Sequence, residues 1–249
     1  SGKLPAGALG RRALDDLNRQ ADEVLRHTRA ADITSVGERL SIDLEFSDVR
    51  IVGDIDGWSA QTIRRATFSK ISPKRAPRLW LDTVLATVAR QQKCGNPAVL
   101  VGRSDNSGGD HNITIHPPTL AAARSTLQEF ITLFRAARET PLPLFPEAMA
   151  VVIKELRREP NCLDGGELES QVIRRARQAY EGTQQQPGSS QQPAVQSAFA
   201  GLDPFSLTCS DVPSFARHGW DAGSQNLFAN LTRRICLDIV NSPFPDAEA

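Results

Sequence analysis

Two consecutive stretches, Leu40–Phe46 and Val49–Ile55, alternate apolar and polar residues. A period of two places successive side chains on opposite faces, so each stretch predicts a half-buried strand. Ser47-Asp48 fits a tight hairpin turn between them, and Ser59-Ala60 fits a second turn leading to a third strand across Thr62–Phe68. An antiparallel meander follows, with Gly53 allowing a bulge or a close backbone approach.

The flanking pattern is helical. Leu14, Leu17, Ala21, Val24 and Leu25 recur at helical spacing within Leu4–Ala31. After Pro77, the residues Leu79, Trp80, Leu81, Val84, Leu85 and Val88 make so broad an apolar face that this helix must be largely buried. Two further strands, Ala98–Gly102 and Asn112–His116, bracket a loop-forming run at Ser104–Asp110. Pro117-Pro118 open a helix that Pro141 and Pro143 end. Shorter helices are expected at Glu147–Leu156 and Leu168–Tyr180, and a final one carries Leu227, Leu231, Ile235 and Ile239. The fold class is therefore α/β or α+β, a mixed sheet of about five strands flanked by helices. Residues 182–197 are rich in Gln, Pro and Ser and predict a flexible linker. It separates a core over residues 1–181 from a C-terminal helical segment, 198–249, that packs on it. In that segment Phe199, Phe205 and Phe215 have loop-like spacing and are expected to form an exposed partner patch.

The meander also carries the chemistry. A metal-dependent nuclease built this way holds Mg²⁺ between an Asp near the end of one strand and the acid of an Asp/Glu-x-Lys on the next. Asp56, in Gly53-Asp-Ile-Asp56, stands at the first position. The second reads Phe68-Ser69-Lys70: the Lys is present and the acid is Phe. No Asp or Glu occurs between Asp56 and Asp82, so no shift of register supplies one. Asp56 and Lys70 thus form a vestigial site, with no catalytic residue and no bound metal expected. Asp54 and Asp56 read more readily as residues that cap or close a turn, since a hard-cation site needs more oxygen ligands.

Arg64, Arg65, Lys70, Lys74, Arg75 and Arg78 fall in that same acid-free window. Uncompensated positive charge is what phosphate contact requires, and a solvated face or an acidic partner is the alternative use. The whole chain of 249 residues is balanced, with 29 basic and 29 acidic residues, which argues against strong independent DNA binding. Cys94, Cys162, Cys209 and Cys236 are far apart and read as ordinary reduced thiols. His111 and His116 flank one strand and point to opposite faces, so they do not pair on a metal; His27 and His218 read as surface or helix-packing residues. There is no Gly-x-x-x-x-Gly-Lys-Ser/Thr and no Gly-x-Ser-x-Gly, so neither an ATP site nor a serine hydrolase is indicated, and no cofactor is expected. No signal peptide or membrane-length apolar run is evident, and the compartment reads as cytoplasmic. Ser1-Gly2 reads as a cloning remnant before a domain cut from something longer.

Leu4–Gly10, Gly53–Trp58, Ser69–Leu81 and Pro141–Glu147, in this order and spacing, resemble the C-terminal region of the exodeoxyribonuclease V gamma subunit family, RecC. The resemblance implies a degenerate PD-(D/E)xK nuclease fold inside the RecBCD helicase–nuclease, which processes double-strand breaks for recombination. It implies a non-catalytic scaffold and DNA guide, placed where the duplex is split and where the alpha helicase subunit docks. The implied partners are RecB-like beta and RecD-like alpha subunits, a double-stranded DNA end and the single strands at the fork. Two other functions compete: a live nuclease drawing ligands from Glu45, Asp48 or Asp54, and a protein-interaction module without DNA contact.

Overall fold

The computed structural model describes residues 7–33, 37–46, 48–92, 94–104, 110–183, 187–213, 215 and 225–240. Ser47, His218 and the first six residues, each singled out above, lie outside them. The chain divides into two compact units, one of residues 1–44, 50–118 and 244–249, the other of residues 45–49 and 119–243.

In the first unit, α1 (Gly7–Ala30) precedes the meander β1 (Glu38–Phe46), β2 (Val49–Ser59) and β3 (Thr62–Lys70). Helix α2 (Ala76–Ala89) then crosses over to β4 (Ala98–Arg103), which is followed by β5 (Asn112–Ile115). The five strands form one mixed sheet in the order β1-β2-β3-β4-β5. β2 and β3 pair antiparallel, β3 and β4 parallel, β4 and β5 antiparallel. The parallel step follows from the intervening helix, because parallel neighbours need a long crossover. α2 buries Leu79, Trp80, Val84 and Val88, and β4 and β5 bury Val101, Ile113 and Ile115. That near-continuous apolar composition explains why both are interior.

The β2–β3 turn sits one residue later than its composition suggests. Ser59 pairs with Thr62, and Ala60 and Gln61 form the two-residue loop with φ of 48° and 62°. Two successive left-handed residues match the right-handed twist of the flanking strands, although neither Ala nor Gln favours that region.

The second unit is helical: α3 (Leu120–Glu139), α4 (Pro146–Arg158), α5 (Gly166–Glu181), α6 (Pro193–Ala198) and α7 (Leu227–Val240). Thr119 caps α3 by accepting a hydrogen bond from the Ala122 amide at 3.2 Å. α4 packs against α5 and α7, burying Val152, Ile153, Leu156, Val172, Leu231, Ile235 and Ile239. Phe145, Tyr180, Phe199, Phe205 and Phe228 form an aromatic cluster with ring centroids 4.3–6.1 Å apart. Phe199, Phe205 and Phe215 are buried, at 7%, 3% and 1% exposure, so they serve this core and do not form the exposed patch expected of them.

Within the Gln/Pro/Ser-rich segment, residues 187–197 hold regular structure. A 3₁₀ turn spans Ser189–Gln191, and Pro193 opens α6 at a position where its missing N–H costs nothing. Gly188 lies so close to the end of α5 that a Cβ would come within 2.0 Å of the Tyr180 carbonyl oxygen. Ser189 is buried and its hydroxyl donates to Glu147 Oε2 at 2.6 Å. Polar and backbone contacts therefore organise a stretch whose composition offers little apolar surface.

Candidate nucleic-acid interface

The basic window runs from β3 through the turn into α2. Ile71 is buried, and its amide donates to the Arg103 carbonyl at 2.7 Å, holding the chain to β4 as it leaves the sheet. Pro73–Arg75 form a single 3₁₀ turn, and Pro77 starts α2 at its first turn. This geometry carries Lys74, Arg75 and Arg78 outward, and Lys70 is exposed at the end of β3. The first turn of α2 holds no acid. A helix N-terminus with cations around it is poorly matched to its own dipole and well matched to a phosphate.

Arg64 and Arg65 behave differently. The Arg64 Nη1 donates to Asp32 Oδ2 at 2.8 Å and to the Asp32 carbonyl at 3.0 Å. Arg65 Nη1 donates to Asp82 Oδ2 at 2.6 Å, and its Nε donates to the Asp56 carbonyl at 2.9 Å. Their side chains are only 18% and 22% exposed. Both cations are compensated by acids outside the acid-free window, so the six residues grouped by sequence divide into an internal pair and an outward set.

The vestigial pair is not brought together. Asp56 is exposed on β2, and its carboxylate accepts from Arg39 Nε of β1 at 3.0 Å. Asp54, two residues earlier, accepts from Ser41 at 2.9 Å, and Asp43 takes both Nε and Nη2 of Arg50 at 2.8 and 2.7 Å. These cross-strand pairs run in opposite directions along β1 and β2, the sense of an antiparallel ladder. The Arg50 guanidinium holds the Asp43 carboxyl below its usual range, mainly through this hydrogen bonding. Arg65 is the β3 residue beside Asp56, and Lys70 lies five residues further along, roughly 15 Å away at the strand rise. Lys70 sits instead beside Arg103 of β4. Phe68, at the acid position, lies under the Arg103 guanidinium with 4.7 Å between the charge centre and the ring centroid. The alternative ligands are also dispersed: Glu45 is exposed and Asp48 pairs with Arg135 at 2.5 Å. The Mg²⁺ that an intact nuclease of this type carries does not fit these residues. Among the described residues, no group of three metal-ligating side chains forms around Asp56; one forms at Glu23, His27 and His111. Sequence reading missed that group because it joins α1 to the residue before β5. Its one local signal is the four-residue spacing of Glu23 and His27, which puts both on one helix face.

Fold and site together define an α/β unit whose β1–β2 surface is charge-paired and whose β3–α2 turn carries exposed basic residues. The family described as the RecC C-terminal domain matches residues 1–157, and the chain belongs to that family. No curated protein matches it. RecC membership points to a role in the RecBCD (exodeoxyribonuclease V) assembly, with the other components of that assembly as partners, and to DNA repair. No helix among the described residues is long and apolar enough to cross a membrane.

Proposed function

We propose that this chain is a non-catalytic scaffold and DNA-guiding domain of a cytoplasmic RecBCD helicase–nuclease, built on a degenerate PD-(D/E)xK fold. The observation that carries the reading is the fate of the meander's acids. Asp54 and Asp56 are spent on a ladder with Ser41 and Arg39, and the remaining acid position is Phe68 packed on Arg103. A hard divalent cation needs several converging oxygens, and losing one of two carboxylates removes most of the affinity. The meander followed by a crossover helix and a parallel strand is compatible with the nuclease-like fold. The DNA-guiding half of the proposal rests on Lys70, Lys74, Arg75 and Arg78, with Arg64 and Arg65 as supports of the strand beneath. Contacts with RecB-like and RecD-like subunits belong to the same reading.

Incubation with DNA and Mg²⁺ or Mn²⁺ tests the first half: the chain should not cleave. Robust cleavage abolished by Asp56→Ala would falsify it and favour the live-nuclease alternative. DNA crosslinking to the basic turn within the assembled complex tests the second half. Absence of any crosslink there would leave the protein-interaction module as the better account.

A further inference from the structure

We infer that Glu23, His27 and His111 form a binding site for a divalent transition-metal ion of the zinc class, fastening α1 to the β4–β5 end of the sheet. Their candidate ligand atoms all lie within 4.8 Å of one another. His111 is held twice to β4: its carbonyl accepts from the Gly102 amide at 2.8 Å, and its ring Nδ1 lies 3.2 Å from the Gly102 carbonyl oxygen. A carbonyl can only accept, so Nδ1 carries the hydrogen and donates. In the neutral ring this places the lone pair on Nε2, the atom open to a ligand.

The Nε2 lone pair faces Glu23 Oε1 at 3.3 Å. With the ring neutral, these two donor atoms converge on a place where a cation can sit. Two ligand atoms each about 2.1 Å from a tetrahedral zinc ion lie about 3.4 Å apart. The observed separation suits the ion. His27 supplies the third ligand: its ring is stacked on His111 at 4.1 Å between centroids, with 10° between planes. Parallel rings direct their lone pairs side by side, so His27 must turn about its side-chain bonds to converge. It is half-buried on a helix face, and that rotation brings it toward Glu23, one turn earlier. Arg26 also reaches Glu23 Oε1, at 3.6 Å, but its side chain is 71% exposed and can swing into solvent. Two imidazoles and a carboxylate leave a fourth position for water, and this donor set suits Zn²⁺, Co²⁺ or Ni²⁺ over Mg²⁺ or Ca²⁺.

The test uses the full 249-residue chain, stripped of metal and titrated with Zn²⁺ by calorimetry and with Co²⁺ by visible absorption. One equivalent of Zn²⁺ should bind, Co²⁺ should give the intense bands of a tetrahedral site, and Zn²⁺ should raise the unfolding temperature. His27→Ala and Glu23→Gln should each weaken binding at least tenfold, while His116→Ala should leave it unchanged. Binding unaffected by His27→Ala, or no binding to a chain that remains folded by circular dichroism, would overturn the assignment.

Discussion

Arg65→Ala separates an internal support from a DNA contact. Arg65 and Asp82 are 22% and 16% exposed, and their 2.6 Å contact joins β3 to α2. Removing the guanidinium leaves the Asp82 carboxylate in a shielded site without its cation, and the Asp56 carbonyl loses a donor. A hydrogen bond to a charged group is worth about 1.5–3 kcal/mol, and orphaning a fully buried charge costs more. Residual exposure of both groups discounts the upper end, so the expected loss is ~2–3 kcal/mol. Urea unfolding followed by tryptophan fluorescence reads it, because Trp80 is buried on α2 within the same unit. Asp82→Asn should cost less, and the double variant should show a coupling of ~1–2 kcal/mol. In the assembled complex, Arg65→Ala should leave the salt dependence of DNA-end binding unchanged. A stability loss below about 0.5 kcal/mol together with weakened end binding would refute the internal assignment, since surface substitutions cost no more than that.

Replacing Lys74, Arg75 and Arg78 together by Ala should do the opposite: an unchanged urea midpoint, weaker DNA-end binding, and a log–log salt slope reduced by roughly 0.7–0.9 for each phosphate that is no longer neutralised. Identical slopes would mean those charges face solvent or another subunit. Ala60→Asn with Gln61→Gly should stabilise the first unit by about 1 kcal/mol, because both loop residues sit in the left-handed region; thermal unfolding checks this. Phe228→Ala empties a fully buried place against Phe205, 4.8 Å away, and should cost ~3–5 kcal/mol in the second unit. Burial pushes the Cys236 thiol up from 9.0 to about 12. The folded state then holds its proton where the unfolded state has lost it, so this contribution is intact below pH 9 and disappears as pH rises from 9 to 12. Alkaline urea titrations of Cys236→Ala should show a shallower decline than wild type.

The elements themselves were legible because each has one dominant period. Alternation marked β1 and β2, and a broad apolar face marked α2 as interior. Legibility failed where structure is held by contacts that composition does not advertise. Gly188 is ordered by the backbone at the end of α5, and Ser189 by Glu147, which is far away in sequence. Phe199, Phe205 and Phe215 lie outside the long helices and strands, so no periodicity could show that all three are buried.

The same physics governs the candidate site. An acid-free window in sequence is a statement about neighbours along the chain, whereas electrostatic compensation depends on neighbours in space. On β3, flanking elements lie close enough to supply Asp32 to Arg64 and Asp82 to Arg65. On the turn before α2 the side chains leave the sheet, and Lys74, Arg75 and Arg78 are exposed, the set proposed above for phosphate contact. The histidine pair shows the converse. His111 read as unsuited to metal because its only nearby histidine along the chain, His116, lies at the other end of the same short strand. Pairing of β4 with β5 and packing of α1 on that sheet bring His111 to Glu23 and His27, which stand one turn apart on α1. A helical acid–histidine pair at four-residue spacing thus carries information that a search for nearby histidine pairs discards.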